Sequence, residues 1–598
     1  MRKKLEERIS NVFRIARVQS TKQSEYHKDL DPTVVVRRSY EGKLMEVHKP
    51  VQDMQVPDSV TRFDLDFDYS VFEKPYKGAY EFNPYVLTMQ PASAVQNPKQ
   101  LYLRAGAGYT LHPVFDLIWA TPFKNAFRMD VYGCHRSYVG GYRMFRPEIP
   151  YEGPVVVDRW VQSGGEHGYR NGYDLETRAG IDGSYDWKSG VAEFDVAYYG
   201  LASKNYIKTR HYDALDVKLG TSSKSMEDSY FMYDVDARYR YGVDVMEYTG
   251  ADLRMDEHVF GVEAVMGQIF TKVEEALVHK VLFDVGLDVA AYDHPEYSTV
   301  AGEFRLTPHY VLNYHERLIV DAGLRFAKVI RTKPSVGLFS AKEQIVYPDV
   351  SVMYDAVPRY LRLYTHIGGG NRMNTYSSIL EDNHHFDLEF GRGIWPFMDF
   401  TVERVSAVAG FKGRLGKFNY DLYGGYANYA NALLDAVVIG QPYGFEEPEY
   451  MPGMGYSSYQ KAFAAFDWDW KTESLHFNGN LEYAHVFGLK NSDGLFAPAA
   501  FTGDVAFEYN WSRRIYAGVD CMFSTGRKGS LIDMTQRNSV HDAVIPGYAD
   551  LGLYFEYAAS NCLAFWIRGG NLLNMTIQHN PLYAERGVNF TVGVCLNL

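Results

Sequence analysis

Several groupings in this chain have the residue types for chemistry. Glu381-Asp382-Asn383-His384-His385 places two carboxylates beside two imidazoles, the donor types of a metal site. Adjacent residues on an extended loop rarely converge on one ion, so no metal is assigned to them. Gly444-Phe-Glu-Glu-Pro-Glu449 is an acidic patch flanked by aromatics. It could bind cations or a partner, but a solvated loop is the preferred reading. The glycines of Ala105-Gly-Ala-Gly-Tyr109 and Ile367-Gly-Gly-Gly-Asn371 do not read as phosphate cradles, because no helix follows either. Strand glycines serve close packing and bends instead. No Ser/His/Asp or Cys/His arrangement stands out, so the chain is read as a non-enzyme without a cofactor.

The elements that must carry these residues announce themselves at the C-terminal end. Ala549, Leu551, Leu553, Phe555 and Tyr557 alternate with Tyr548, Asp550, Gly552, Tyr554 and Glu556. Leu563, Phe565 and Ile567 alternate with Cys562, Ala564, Trp566 and Arg568, and Phe590, Val592, Val594, Leu596 and Leu598 with Asn589, Thr591, Gly593, Cys595 and Asn597. A period of two is a strand with unlike environments on its faces. Strands of roughly ten residues with one aromatic-rich, nearly uncharged face predict an all-β fold, a transmembrane antiparallel β-barrel. A soluble β-sandwich or propeller also alternates, but the aromatic-rich apolar face, the bulky wet face opposite it and the unequal lengths of alternate connections favour the membrane barrel.

Composition agrees. Tyr (48) and Phe (35) are abundant, and barrels use such rings in girdles at both membrane interfaces. Mean hydropathy is −0.29, and no apolar stretch approaches the roughly 18 residues of a membrane-spanning helix. A polar average without such a helix suits a barrel, in which only alternate residues face lipid. The net charge of −13 argues against a nucleic-acid surface.

Strands are expected from about Leu101 onward. Short turns at Trp187–Gly190, Tyr314–Glu316, Leu415–Lys417, Lys471-Thr472 and Ser512-Arg513 alternate with long connections over 371–399, 431–455, 524–544 and 574–587. Short turns on one side and long loops on the other match periplasmic and extracellular ends. The count is about 20–22 strands, with the stretch from Gly140 to Ser225 hiding one or two, such as one within Tyr212–Leu219. The division expected is 1–95 as a short N-terminal periplasmic segment, partly flexible or lumen-occluding, and 96–598 as the outer-membrane barrel. Met1–Gln55 shows no apolar signal-peptide core, so the true start is expected upstream of Met1.

By strand parity the lumen receives Asp504, Glu508, Asp520, Asp550, Glu556 and Arg568, which could line a pore or hold whatever fills it. Cys521 would face lipid. Cys562 and Cys595 would face the lumen on adjacent strands, as free thiols or as a disulfide.

Gly570-Asn-Leu-Leu-Asn574, Asn580-Pro-Leu-Tyr583, Arg586-Gly587 and the terminal strand resemble the closing strands of TonB-dependent receptor barrels, and the style of the whole resembles a Bacteroidota envelope protein. Asn571, Asn574, Tyr583 and Arg586 carry the motif. The resemblance implies a 22-stranded barrel, an internal plug of a hundred or more residues and a TonB box. The 95 or so residues before the barrel are too few for that plug, neither plug motifs nor a TonB box is evident, and Leu598 stands where such barrels usually end in Phe or Trp. The expectation is therefore a receptor-like barrel lacking the plug. It would bind or pass a solute across the outer membrane, with membrane lipid and an envelope protein as partners. The alternative is a structural scaffold with an occluded lumen.

Overall fold

The computed structural model describes the chain from Gln100 to Leu598 apart from short stretches, the longest being 159–168, 332–343 and 387–397. The expected N-terminal segment, 1–95, lies outside the described residues.

The 25 strands of the described residues join one sheet. Three of them, Val155–Val156, Arg527–Asp533 and Ser539–Ile545, belong to loops, which leaves a closed antiparallel barrel of 22. The first strand, Leu101–Tyr109, pairs with the last, Asn589–Asn597, from Tyr102↔Asn597 to Tyr109↔Phe590. Closure leaves no unpaired edge, which is what a sheet needs in lipid. Among the described residues no helix is long and apolar enough to cross a membrane.

The stretch with uncertain strands resolves into Tyr169–Trp187, Gly190–Lys204 and Lys208–Ser223, the last containing the strand suspected within Tyr212–Leu219. The faces fall as the alternation requires. Leu553, Phe555, Tyr557, Phe565, Ile567, Phe590, Val592 and Val594 are all exposed on the outside of the wall. Beside the short turns, Tyr314, Tyr360, Trp470, Trp511 and Tyr557 are exposed too. They form the aromatic girdle of one membrane interface.

Two connections differ from expectation. The strands Phe418–Gly440 and Glu449–Lys471 run through most of the supposed loop 431–455, pairing from Ala432↔Ser457 to Gly440↔Glu449. Their alternation fades there because both faces are covered, with Ala436, Val437, Val438 and Ile439 all buried. The connection over 524–544 contains the hairpin Arg527–Asp533/Ser539–Ile545. It folds back onto the wall, pairing Ile532 with Val438 and Val544 with Val156 in parallel. Gly529 permits the close approach of the 495–496 segment to this hairpin, since a Cβ there would lie 2.3 Å from the Leu495 carbonyl oxygen.

Buried apolar side chains therefore gather at the long-loop end. One cluster holds Phe145, Val155, Val437, Phe496, Leu531 and Leu582. A larger one holds Tyr199, Tyr212, Met246, Met255, Tyr292, Tyr376, Ile379, Leu380, Phe386, Met451 and Met454.

Candidate functional site

The larger cluster exists because one loop turns inward. Between the strands Leu361–Met373 and Phe400–Leu415 the chain forms the short helix Tyr376–Asp382. Thr375 caps it, its hydroxyl accepting the Ser378 N–H at 3.2 Å. Tyr376, Ile379 and Leu380 are essentially unexposed. They touch strands of the Gly190–His294 wall and also Met451 and Met454 of Glu449–Lys471, so the loop bridges separate parts of the barrel. Its two stems are clamped by Asn374, whose amide donates to the Asp399 carbonyl and to the Thr401 and Tyr456 hydroxyls, each at 3.0 Å.

A polar network fastens the loop to the wall. Arg210 Nε lies 3.0 Å from Asp244 Oδ2, with neither side chain exposed. Arg210 Nη1 donates to the His384 carbonyl at 2.9 Å and Nη2 to the Tyr376 hydroxyl at 3.3 Å. That hydroxyl in turn donates to Asp244. Glu257 accepts the Ser377 N–H and the Tyr212 hydroxyl, both at 3.1 Å. Lys208 Nζ donates to the Phe386 carbonyl at 2.6 Å, and Arg240 pairs with Glu381 at 2.6 Å and with Asp216. Charges are tolerated in so dry a place only when paired and hydrogen-bonded.

The two histidines have opposite environments. His384 Nδ1 is 2.9 Å from Asp174 Oδ2. Burial works against its charge, but Asp174, with Glu176 and Glu585 behind it, holds the imidazolium to about 9. His385 stacks on Tyr583 at 3.9 Å. Burial pushes it down to about 3, with His384, Lys208 and Arg210 adding to the effect against Asp174. The imidazole of His384 thus faces Asp174, and Glu381 faces Arg240, so the loop's donors point to different partners. No group able to hold a metal ion occurs among the described residues.

The sequence-derived residues occupy other parts of the barrel. Arg568 lies 3.6 Å from Asp520. Asp550 Oδ1 accepts the Asn571 N–H at 3.0 Å, and Glu556 accepts the Tyr554 hydroxyl. Asp504 and Glu508 lie on the face opposite exposed Phe507 and Tyr509. Of the family-motif residues, Asn571 is buried and donates to the carbonyls of Met575 and Arg586, both at 2.9 Å. Asn574 has φ 51 and closes a turn onto the Asn571 carbonyl at 2.9 Å. The Tyr583 hydroxyl accepts from Asn205 at 2.9 Å, and the Arg586 guanidinium sits 5.5 Å from the Tyr138 ring. In the acidic patch, Glu446 and Glu447 are exposed whereas Glu449 is buried at the start of a strand. All four cysteines are free.

Arg210, Asp244, Glu257 and Tyr376 escape sequence reasoning. For the three strand residues the one signal is a charge at an inward strand phase, as in Thr209-Arg-His-Tyr-Asp213, and that signal names no partner; Tyr376, on the loop helix, has none.

No protein-family model and no curated protein matches the chain. Solved structures do. The siderophore receptor PirA from Acinetobacter baumannii superposes with TM-score 0.58 at 8% identity, over 83% of this chain and 80% of that one. The Serratia marcescens hemophore receptor HasR, solved as a double mutant with its hemophore HasA and heme, gives 0.57 at 12%, over 84% and 81%. The copper transporter OprC gives 0.56 at 11%, over 84% and 80%. The barrel fold is thus of the kind found in TonB-dependent receptors.

Proposed function

We propose that this outer-membrane barrel binds a solute and passes it through its lumen, with the inward loop 374–386 acting as a resident gate. The observation that supports the reading is the fastening of that loop. Beside the apolar packing of Tyr376, Ile379, Leu380 and Phe386, buried hydrogen bonds and ion pairs tie it to the wall, and loss of those polar ties would release it as a unit. A lumen enclosed by 22 strands and left open would be a wide hole in the membrane. The loop, with the hairpin Arg527–Asp533/Ser539–Ile545 and the segment 571–588, does the work that a separate plug does elsewhere. The barrel, of Bacteroidota type, is non-enzymatic on this reading and works with an envelope protein as partner. The second reading is a scaffold whose lumen stays closed, favoured by the complete burial of the Arg210–Asp244 pair.

Single-channel conductance of the purified full-length protein in a planar bilayer separates the two, measured beside a variant in which 376–397 is replaced by a short glycine-serine linker. A closed wild type and a large steady conductance from the variant are expected. A wild type that conducts steadily would rule out the gate, and a variant that stays closed would leave the scaffold.

A further inference from the structure

Below the stems of the gate loop lies a polar cavity of about 360 Å³ in the lumenal wall, lined by Arg325, His366, Arg372, Glu403, Tyr429 and Tyr459. Its position follows from the chain. Asn371 and Arg372 immediately precede the loop, and Thr401 and Glu403 immediately follow it. A β-bulge between Gly368 and Gly370 breaks the register and widens the wall there. Gly370 leaves room for the Arg325 guanidinium, since a Cβ there would fall 2.8 Å from its Nη1 and displace it.

The charges in this cavity are unequal. Arg325 is engaged, with Asp349 at 2.6 Å and the Gly369 carbonyl at 3.0 Å. Arg372 is exposed at the cavity and enters no ion pair or hydrogen bond among the described residues. His366 adds a further nitrogen donor or acceptor. A guanidinium left unpaired beside a second one is a fork that matches a carboxylate in two parallel hydrogen bonds. The rest of the lining suits hydroxyls rather than a second anion. Glu403 accepts but repels negative charge, and the Ser406 hydroxyl offers a donor and an acceptor, whereas Asn371 is taken by Tyr347 and Glu303 and Thr401 by Asn374. Tyr429 and Tyr459, with ring centroids 4.9 Å apart, supply a flat apolar wall for the C–H face of a ring.

We infer that this cavity is a binding site for a small hydroxylated carboxylate, with Arg372 holding the carboxylate, Glu403 a hydroxyl and the Tyr429–Tyr459 pair the carbon face. The inference deepens the transport reading, since a ligand held between the two stems bears directly on the loop that closes the barrel.

Isothermal titration of the purified full-length protein with D-glucuronate, D-glucose and D-glucosamine tests it. Saturable binding of glucuronate is expected, with at least tenfold weaker binding of the neutral and cationic sugars. R372Q should weaken glucuronate binding at least tenfold, R372K should retain most of it, and R238Q, on a strand outside the cavity, should leave it unchanged. Heat-modifiable migration on a gel verifies that each variant is a folded barrel. Absence of glucuronate binding by the wild type, equal binding of glucose, or an unaffected R372Q would each overturn the site. Conductance is scored separately. Binding by a barrel that never conducts keeps the site and removes the transport reading, whereas conduction without binding does the reverse.

Discussion

Arg210 and Asp244 face each other across adjacent strands at 3.0 Å, both fully buried, and the hydroxyl of Tyr376 joins them from a loop more than a hundred residues away in sequence. The pair holds the loop only because the loop completes it. Without Tyr376 and the His384 carbonyl, the guanidinium would lose two of its acceptors inside a dry site.

Removing one partner of such a pair leaves an unpaired buried charge, which typically costs about 3–5 kcal/mol. D244N and R210Q should therefore release the loop while the barrel wall stays intact. The expected readout is a rise in open-channel probability in planar bilayers, with unchanged heat-modifiable migration. Unchanged conductance in both variants would show that the pair does not hold the gate.

The histidines make the gate sensitive to pH from both directions. His385 titrates near 3 when docked, against about 6.5 when free, so its contribution is complete above about 6.5 and is lost as pH falls toward 3. His384 is held up to about 9, so its contribution is complete below about 6.5 and is lost as pH rises toward 9. Docking should be tightest near pH 6.5 and lose on the order of 2 kcal/mol by pH 5 or by pH 8. Open probability measured from pH 5 to 9 should be U-shaped. H385F should flatten the acid arm and H384F the alkaline arm.

The outward assignment of Leu553 carries its own test. It sits at the middle of the strand Tyr548–Ala558 and is exposed. L553R should destabilise the barrel by about 2–4 kcal/mol, the cost of an arginine facing mid-bilayer lipid. D550N, on the other face, should cost less than half of that. Urea unfolding in lipid vesicles, followed by tryptophan fluorescence, gives both values, and the opposite ranking would invert the two faces.

Asn571 organises the last long-side connection. Its amide donates to two carbonyls and its Oδ1 accepts the Met575 N–H at 3.0 Å, at a backbone φ of 46 that favours asparagine over alanine. N571A should cost about 1–3 kcal/mol through these unsatisfied groups. The loss should appear as faster hydrogen exchange in 571–588 with the central wall unaffected.

The strands Leu475–Phe487, Phe501–Trp511 and Tyr548–Ala558 were legible in the sequence because lipid on one side and a wet lumen on the other impose a period of two. Each residue's face then follows from its neighbour's, and the positions of Phe555 and Asp550 needed no tertiary information. The alternation fades in Phe418–Gly440 and Glu449–Lys471 because their far ends meet protein on both faces, so their length could not be read. The gate was less legible still. His384 and Glu381 stand three residues apart, yet they take Asp174 and Arg240, partners that only closure of the barrel brings within reach. Local alternation is a property of each segment in its solvent and is written residue by residue. The pairing of Arg210 with Asp244 and Tyr376, and the cavity at Arg372, depend on which strands become neighbours and how far one loop reaches across the lumen, and the tertiary structure alone decides that.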